Sequence, residues 1–471
     1  MNRKYISFFT SLCMLFLSVP SFAAMDHFLD ECLKLAQARD MKVTVAAEQI
    51  ELAQIRVTNA IRSFFPQITL QRQSSKGKTA LIKDVGYNKE EYNSEEIGVR
   101  AVQGLYEGGG TKATLTYNQL MMDAAKLNYT KAKEELYAKV KLAYYEYLTL
   151  KVEYLALSKA FEKIEALFDK TRVEYKAKAI SELDLAESQN FRDKVENLLN
   201  SSRINLEYST KKLIEAVGVN TLEEIPATVS DELPTDVPEI SFTLQDCIGF
   251  IQTNNLDVQI AKLQMSMSDA KIKINRAKIH PKLYLDGFYG KSGEAFVTEP
   301  LELTTSWSVA AKLSWSLWGN SLSASYTSDR TDPTEIVDAS KRVETTTVDI
   351  QLALLDDLQY FIDAKESKVA LKQVNAELID LLRDTRLSVE KAYNEYLISL
   401  NEAKTLRKEI SLKERKLAFM KRRNDLYEIQ TVELMEESWK YAEAIASYTR
   451  AAYTNHASVV ELERLTLMNL R

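Results

Sequence analysis

The sequence predicts an α+β membrane protein built as a tandem repeat, in which long coiled-coil helical hairpins carry a small number of membrane-crossing strands. Three observations predict it: a seven-residue apolar seam in segments free of Gly and Pro, a period-two segment rich in aromatic residues, and the recurrence of the whole pattern in the second half. Only 13 Gly and 8 Pro punctuate 471 residues. So few breakers imply long uninterrupted elements rather than a series of small globular domains. With 45% hydrophobic residues the chain is neither collagenous nor disordered.

Charge and composition exclude several functions. There are 61 Lys and Arg against 67 Asp and Glu, a net charge of -6, so the basic surface required to neutralise nucleic-acid phosphates is missing. Three His and three Cys leave little material for a metal cage. No cofactor loop, ligand cluster or nucleophile–base pair is recognisable, so neither an enzyme nor a cofactor is expected.

Residues 1–23 read as a secretory signal. Arg3 and Lys4 precede an acid-free apolar run from Ile6 to Val19, followed by Pro20 and the small-residue site Ser21-Phe22-Ala23-Ala24. Cleavage after Ala23 would remove both cations and Cys13 and leave a charge of -8 (-6 minus 2). No later stretch reaches the ~18 apolar residues of a helical span, so any membrane crossing must use strands.

The remainder repeats. A shift of 215 aligns residues 29–70 with 244–285 without a gap, placing Pro66 on Pro281, Cys32 on Cys247 and Leu70 on Leu285. Farther on, Arg172, Ser181, Leu185, Glu187 and Ser188 match Arg422, Thr431, Met435, Glu437 and Ser438 at a shift of 250. The second half therefore holds about 35 extra residues (250 minus 215), expected around Asn320 to Arg342 as a strand or a loop. The expected organisation is a first repeat over 24–226, a Pro-bearing linker over 227–238 and a second repeat over 239–471.

The helical signal is clearest in the first half, where Leu136, Val140, Ala143, Tyr147, Leu150, Tyr154, Leu157, Phe161, Ile164 and Phe168 alternate spacings of four and three. Such a seam packs helices side by side. A continuous helix from Thr111 to Lys176 would be about 100 Å long at ~1.5 Å per residue. A second stripe, Leu382, Val389, Ala392, Tyr396, Leu400, Ala403 and Ile410, lies in a helix expected from Thr345 to Tyr427.

The segments after Pro66 and Pro281 have period two. Trp307, Val309, Ala311, Leu313, Trp315 and Leu317 alternate with small or polar residues, which suits a strand between lipid and a wet interior. Four barrel strands are expected, at about 67–74, 96–105, 282–291 and 306–318. Tyr284, Phe288, Tyr289, Trp307, Trp315 and Trp318 are the expected interface aromatics. An ordinary sheet with one buried face is the competing interpretation of any single strand. Four strands cannot close alone, so their edges would need partners from other copies.

The sequence resembles the TolC family of outer-membrane efflux channels over essentially the whole mature chain. The resemblance rests on the helix ending Phe64-Phe65-Pro66-Gln67-Ile68, the connector Leu105-Tyr106-Glu107-Gly108-Gly109-Gly110, the helix reversal Ala179-Ile180-Ser181 and its counterpart Gln430-Thr431-Val432. It implies a homotrimer whose protomers each give four strands to one twelve-stranded barrel in the outer membrane, with a tunnel of twelve helices in the periplasm. It also implies a periplasmic adaptor and an inner-membrane pump as partners, with the adaptor contacting the helix reversals. The family's paired acidic residues at the narrow periplasmic entrance map onto Glu433 and Glu436; the family pair is aspartate and here both are glutamate.

Three motifs carry a second interpretation. Gly108-Gly109-Gly110 before a helix could cradle an anion, but the Lys-Ser/Thr signature of a phosphate loop is absent, which favours a tight strand-to-helix turn. Cys32 and Cys247 could pair in an oxidising compartment or simply occupy equivalent buried positions. Glu433 and Glu436 could be a gate or part of a solvated acidic face, and Glu437 confuses the register. The expected function is a passive duct for a pump-driven export system. The rival is a non-conducting periplasmic adaptor or coiled-coil scaffold.

Overall fold

The computed structural model describes residues 27–82, 87–225, 237–298, 300–317, 319–331, 344–354, 358–426, 428–468 and 470. The signal, most of the expected linker and Trp318 lie outside them. In chain order the elements are α1 (His27–Arg39), α2 (Met41–Arg62), β1 (Gln67–Ile82), β2 (Tyr87–Glu107), α3 (Gly110–Lys176) and α4 (Glu182–Val217). The second series is α5 (Leu244–Asn254), α6 (Leu256–Ala277), β3 (Lys282–Phe296), β4 (Thr304–Leu317), β5 (Asn320–Thr331), β6 (Glu344–Ala353), α7 (Gln359–Asp425) and α8 (Thr431–Thr466).

The repeat survives in the elements themselves. The break between α1 and α2 at residue 40, the end of α2 and the start of β1 all recur 215 positions later. Asp40 caps α2 by accepting from the amides of Lys42 (2.7 Å) and Val43 (3.0 Å). Asn255 occupies the corresponding break, buried, and donates to the Leu465 carbonyl at 2.8 Å. Pro66 and Pro281 each precede a strand, where the ring disfavours helix in the residue before it. The long helices match in length: α3 and α7 have 67 residues each, and α4 and α8 have 36 each.

Two sequence expectations need correction. Both pairs of long helices are offset by 249, one less than the residue matching indicated, so the N-caps Ser181 and Gln430 are the equivalent residues. The excess is then 34 residues (249 minus 215), the span of Asn320 to Ala353, whose described residues form two paired strands, β5 and β6. The described residues therefore hold six strands, not four. Residues 345–353, expected to begin the second long helix, belong to β6. Their Thr-Val-Asp-Ile-Gln-Leu alternation is period two, and α7 begins only at Gln359.

Contacts divide the chain into two units. One comprises the described residues up to Thr44, Thr130–Asn255 and those from Asp384 onward. Its described residues are helical apart from the connections between helices. Its interior is the heptad seam: Val140 and Ile164 on α3 and Val389 and Ala403 on α7 are fully buried. Ile164 packs with Val195 of α4 and Met435 of α8; Ala403 packs with Tyr448 and Ala451 of α8. Cys32 and Cys247 are both buried here and not joined in a disulfide, and burial pushes the Cys247 thiol up. Among the described residues no helix is long and apolar enough to cross a membrane.

The other unit, Val45–Tyr129 and Leu256–Arg383, holds all six strands in one antiparallel sheet of order β1-β2-β3-β4-β5-β6. Strands adjacent in chain order are adjacent in the sheet; β3–β4 and β4–β5 join through short connections, whereas β2 and β3 are linked through the four helices α3 to α6. Gly319, at φ +86, makes the turn from β4 into β5.

Helix starts are capped by the sequence. Thr243 and Asp246 form a reciprocal capping box at α5, and the Thr243 hydroxyl (2.7 Å) and amide (2.9 Å) hold the Asp246 carboxyl below the usual aspartate range. A carboxyl with a depressed folded-state value stabilises fully above its ordinary value, and the contribution is lost as pH falls through the folded value. Asp246→Asn is therefore expected to speed amide exchange in the first turn of α5 at pH 7, with the difference from wild type vanishing in strong acid.

Candidate functional site: an amphipathic sheet and two helix reversals

Residues paired across an antiparallel sheet share a face, so the register fixes which side chains lie together. On one face β1 places Ile68 and Leu70, beside Ala101 and Val99 of β2. Gly287 and Tyr289 of β3 follow, then Val309 and Trp307 of β4. Nearer the helix-side end the same face continues through Leu313 and Trp315 to Ala324 and Leu322 of β5 and Ile350 and Leu352 of β6. The opposite face carries Gln71, Arg100, Asp286, Lys312, Ser325 and Asp349. Over this helix-side band the sheet is thus apolar on one side and polar on the other across all six strands; farther out, the same face of β1 and β2 carries Arg72, Lys76 and Lys78 with Glu95 and Glu91.

Among the described residues nothing covers the apolar face. Leu70 is 81% exposed and Ile350 is 70% exposed, a large continuous apolar surface of the kind that marks a membrane or an interface. On the polar face Asp286 accepts from Arg100 on one neighbouring strand (2.9 and 2.5 Å) and from Lys312 on the other (2.9 Å). This three-strand charge cluster was not foreseen from the sequence, because its members are 26 to 186 residues apart.

The expected interface aromatics divide between faces. Tyr289, Trp307 and Trp315 are on the apolar side, and the Trp315 indole donates to the Ile279 carbonyl at 3.0 Å. Tyr284 and Phe288 are on the polar side. The Phe288 ring lies over Gly98 and Gly290, where an added Cβ would approach it within 2.5 and 2.8 Å. Gly108 and Gly109 turn β2 into α3 with φ of +62 and +82. A Cβ on Gly108 would come within 2.6 Å of the Ala277 carbonyl oxygen, so that position needs glycine for space as well as for angle.

At the other candidate region the helices reverse twice. The α3–α4 reversal runs through Ala179 and Ile180 to the cap Ser181, whose capping box with Asp184 holds that carboxyl below its usual range. Lys178 takes a left-handed conformation at φ +57. The α7–α8 reversal reaches Gln430, which makes no side-chain cap, before Thr431 and Val432 open α8. A polar network joins the two reversals. Lys170 donates to the Asn424 side-chain oxygen at 2.9 Å, the Asn424 amide donates to the Ile429 carbonyl at 3.3 Å and to Thr431 Oγ1 at 3.5 Å, and the Thr431 hydroxyl donates to Glu174 at 3.4 Å. Asn424 and Thr431 are both buried. Their burial could not be read from a stretch as charged as Lys421-Arg422-Arg423-Asn424-Asp425.

The acidic residues after this reversal sort themselves. Glu433 and Glu436 are both exposed, and Glu436 accepts from Lys440 at 3.2 Å. Glu437 points inward, only 2% exposed, and is paired with Lys416 at 2.8 Å. The offset of 249 sets Glu433 on Asp184 and Glu436 on Glu187, so both hairpins bear acids at the same two positions. No group of metal-ligating side chains occurs among the described residues.

Comparison with known proteins adds to this geometry. Residues 32–219 match the family model described as outer membrane efflux protein. The chain is similar in structure to a membrane protein from Pseudomonas aeruginosa, with a TM-score of 0.72 and 14% identity over 94% of this chain and 90% of the other. The CmeC outer membrane channel of Campylobacter jejuni gives 0.68 and 14% over 94% and 86%. The outer membrane protein VceC of Vibrio cholerae gives 0.70 and 11% over 94% and 96%. The fold is that of the TolC-like outer-membrane efflux proteins. A search of curated proteins by sequence finds no match. The TolC-like resemblance thus holds in sequence over the first half and in fold over both, with β5–β6 as this chain's departure from the four-strand pattern.

The polar network gives a local prediction. Asn424→Ala removes three hydrogen bonds at a buried position and should destabilise the α7–α8 reversal by about 1–3 kcal/mol. Amide exchange should accelerate at residues 428–431, with the separately capped Ser181 end of α4 changing little.

Proposed function

We propose that the chain is the outer-membrane exit duct of a tripartite export system: a homotrimer whose sheets form a barrel in the outer membrane and whose helices extend as a tunnel into the periplasm. One observation carries the proposal. The chain presents an exposed apolar sheet face and two strands, β1 and β6, with a neighbour on one side only among the described residues. Unpaired backbone groups cost several kcal/mol each in lipid, so a sheet of this kind enters a bilayer only when copies of it close into a ring. The outer-membrane location and the efflux role are those named by the matching family model, and the TolC-like fold supports both.

The duct is passive. Transport energy comes from an inner-membrane pump, reached through a periplasmic adaptor. Ala179, Ile180 and Ser181 with Gln430, Thr431 and Val432 are the adaptor contacts in this account. Their shared polar network makes the two reversals a single docking end. A scaffold without a conducting role is disfavoured, because it has no use for an uncovered apolar sheet face.

Glu433 and Glu436 are the proposed entrance gate. Threefold symmetry would gather six carboxylates, and a ring of like charges draws cations. Their exposure within one chain suits a ring formed between chains. The purified trimer should conduct in planar bilayers, with current reduced by divalent cations added on the side of the helices. Glu433→Ala with Glu436→Ala should weaken that block at least several-fold. Unchanged block would remove the pair from the gate, and a trimer that inserts but never conducts would remove the channel.

A further inference from the structure

The six-stranded sheet changes what the assembled wall must be. In a four-strand protomer β4 would be the edge offered to the next copy. Here β5 covers that edge along its length, pairing from Leu317↔Asn320 to Ser306↔Thr331. β6 then pairs with β5 from Ser321↔Ala353 to Arg330↔Glu344. The strand edges left for another chain are those of β1 and β6.

The added hairpin has the properties of wall rather than of a surface appendage. β5 and β6 have 12 and 10 residues, close to the 9–11 residues of a tilted bilayer-crossing strand. Their apolar side, Leu322, Ala324 and Tyr326 with Leu352, Ile350 and Val348, continues the face of β4. Their polar side, Ser323, Ser325 and Thr327 with Gln351, Asp349 and Thr347, continues the other.

The stagger also fits closure. Following paired residues straight across the sheet leads from Ile68 through Ala101, Gly287, Val309 and Ser328 to Thr346. Ile68 is one residue from the helix-side end of β1 (68 minus 67), and Thr346 is seven from that of β6 (353 minus 346). With those ends level, the sheet climbs six residues in five strand steps. That is about 20 Å of rise over about 24 Å of width, a tilt of about 40° and within the ~35–45° of closed barrels. β1 runs away from the helix-side end and β6 returns to it, so β1 of one copy meets β6 of another antiparallel, as the alternation within the sheet requires.

We propose that the β1 edge of each copy pairs with the β6 edge of a second copy, so that three copies close an eighteen-stranded barrel. This rests on the trimeric duct proposed above. Barrel width grows roughly in proportion to strand number. The outer-membrane exit would therefore be about half again as wide as the twelve-stranded one implied by the four-strand pattern, in the range where barrels of ~16–18 strands enclose an aqueous channel. The consequence is a duct whose membrane section is not its narrowest part.

Electron cryo-microscopy of the purified full-length assembly in lipid nanodiscs counts the strands. Eighteen, with β1 beside β6 of the next copy, is the expected result. A trimer of twelve strands with residues 320–353 outside the wall, or a ring closed by a different number of copies, overturns the proposal while leaving a membrane duct in place. A water-soluble monomer would instead remove the duct itself.

Disulfide trapping in intact outer membranes provides a second measurement. Leu70→Cys combined with Ile350→Cys or with Leu352→Cys should give a ladder of dimer and trimer on denaturing gels, absent from each single variant. Cross-linking of Leu70→Cys to Leu313→Cys instead would place β4 at the copy-to-copy seam and overturn the eighteen-stranded wall.

Discussion

Everything in this molecule depends on what happens to backbone hydrogen bonds at the edges of its sheet. The central strands satisfy theirs within the chain, but β1 and β6 each have one side without a strand neighbour among the described residues. In water such edges would invite aggregation; in lipid they would be prohibitive. The uncovered apolar face excludes the first environment, and the edges exclude the second for a single chain. Association of identical sheets, as proposed above, is the arrangement that would satisfy both.

The helices obey a parallel constraint. A helix of 67 residues, about 100 Å long, has far too little interior of its own, and its stability must come from an apolar seam laid against neighbours. The seam is present: on α3 Leu136, Val140, Ala143, Tyr147, Leu157 and Ile164 are buried, and Leu150, Tyr154 and Phe161 are half-buried. Polar pairs are placed at its margins: Arg450 closes on Glu153 across α8 and α3, and Lys416 on Glu437 across α7 and α8. Removing the cation of either pair leaves a buried glutamate with little solvent. These pairs therefore fix register along a seam that small apolar residues alone would specify weakly. The same logic explains the knot of Lys170, Asn424, Thr431 and Glu174 at the reversals, where a smooth apolar contact could slide.

Periodicity made much of this legible. The 215-residue shift predicted the equivalence of α1–α2 with α5–α6, which holds to the residue from the ends of α1 and α5 onward, including the break that Asp40 and Asn255 share. The stripe from Leu136 to Ile164 located the core of α3. The sequence was less informative where alternation was short and polar. β5 is rich in Ser and Thr, and β6 begins Glu-Thr-Thr-Thr, so neither stands out before its partner is known. Only pairing shows that Leu322 and Leu352, or Tyr326 and Val348, share a face. Contacts such as Arg100 with Asp286 are likewise invisible to spacing, because the sheet brings them together from separate repeats. The gate residues stood out by resemblance rather than by physics, and their exposed, helix-initial positions are compatible with either a ring between copies or a plain acidic face.

Amide hydrogen exchange on the protein in native outer-membrane vesicles tests the central claim most directly, by comparing the sheet's two edges with its middle. If identical chains satisfy one another's edges, Gln67–Ser74 of β1 and Val348–Ala353 of β6 will be protected to the same degree as Leu285–Tyr289 of β3. Rapid exchange along either edge, with β3 protected, would contradict the account, since it would mean that the sheet sits in its native environment without a partner.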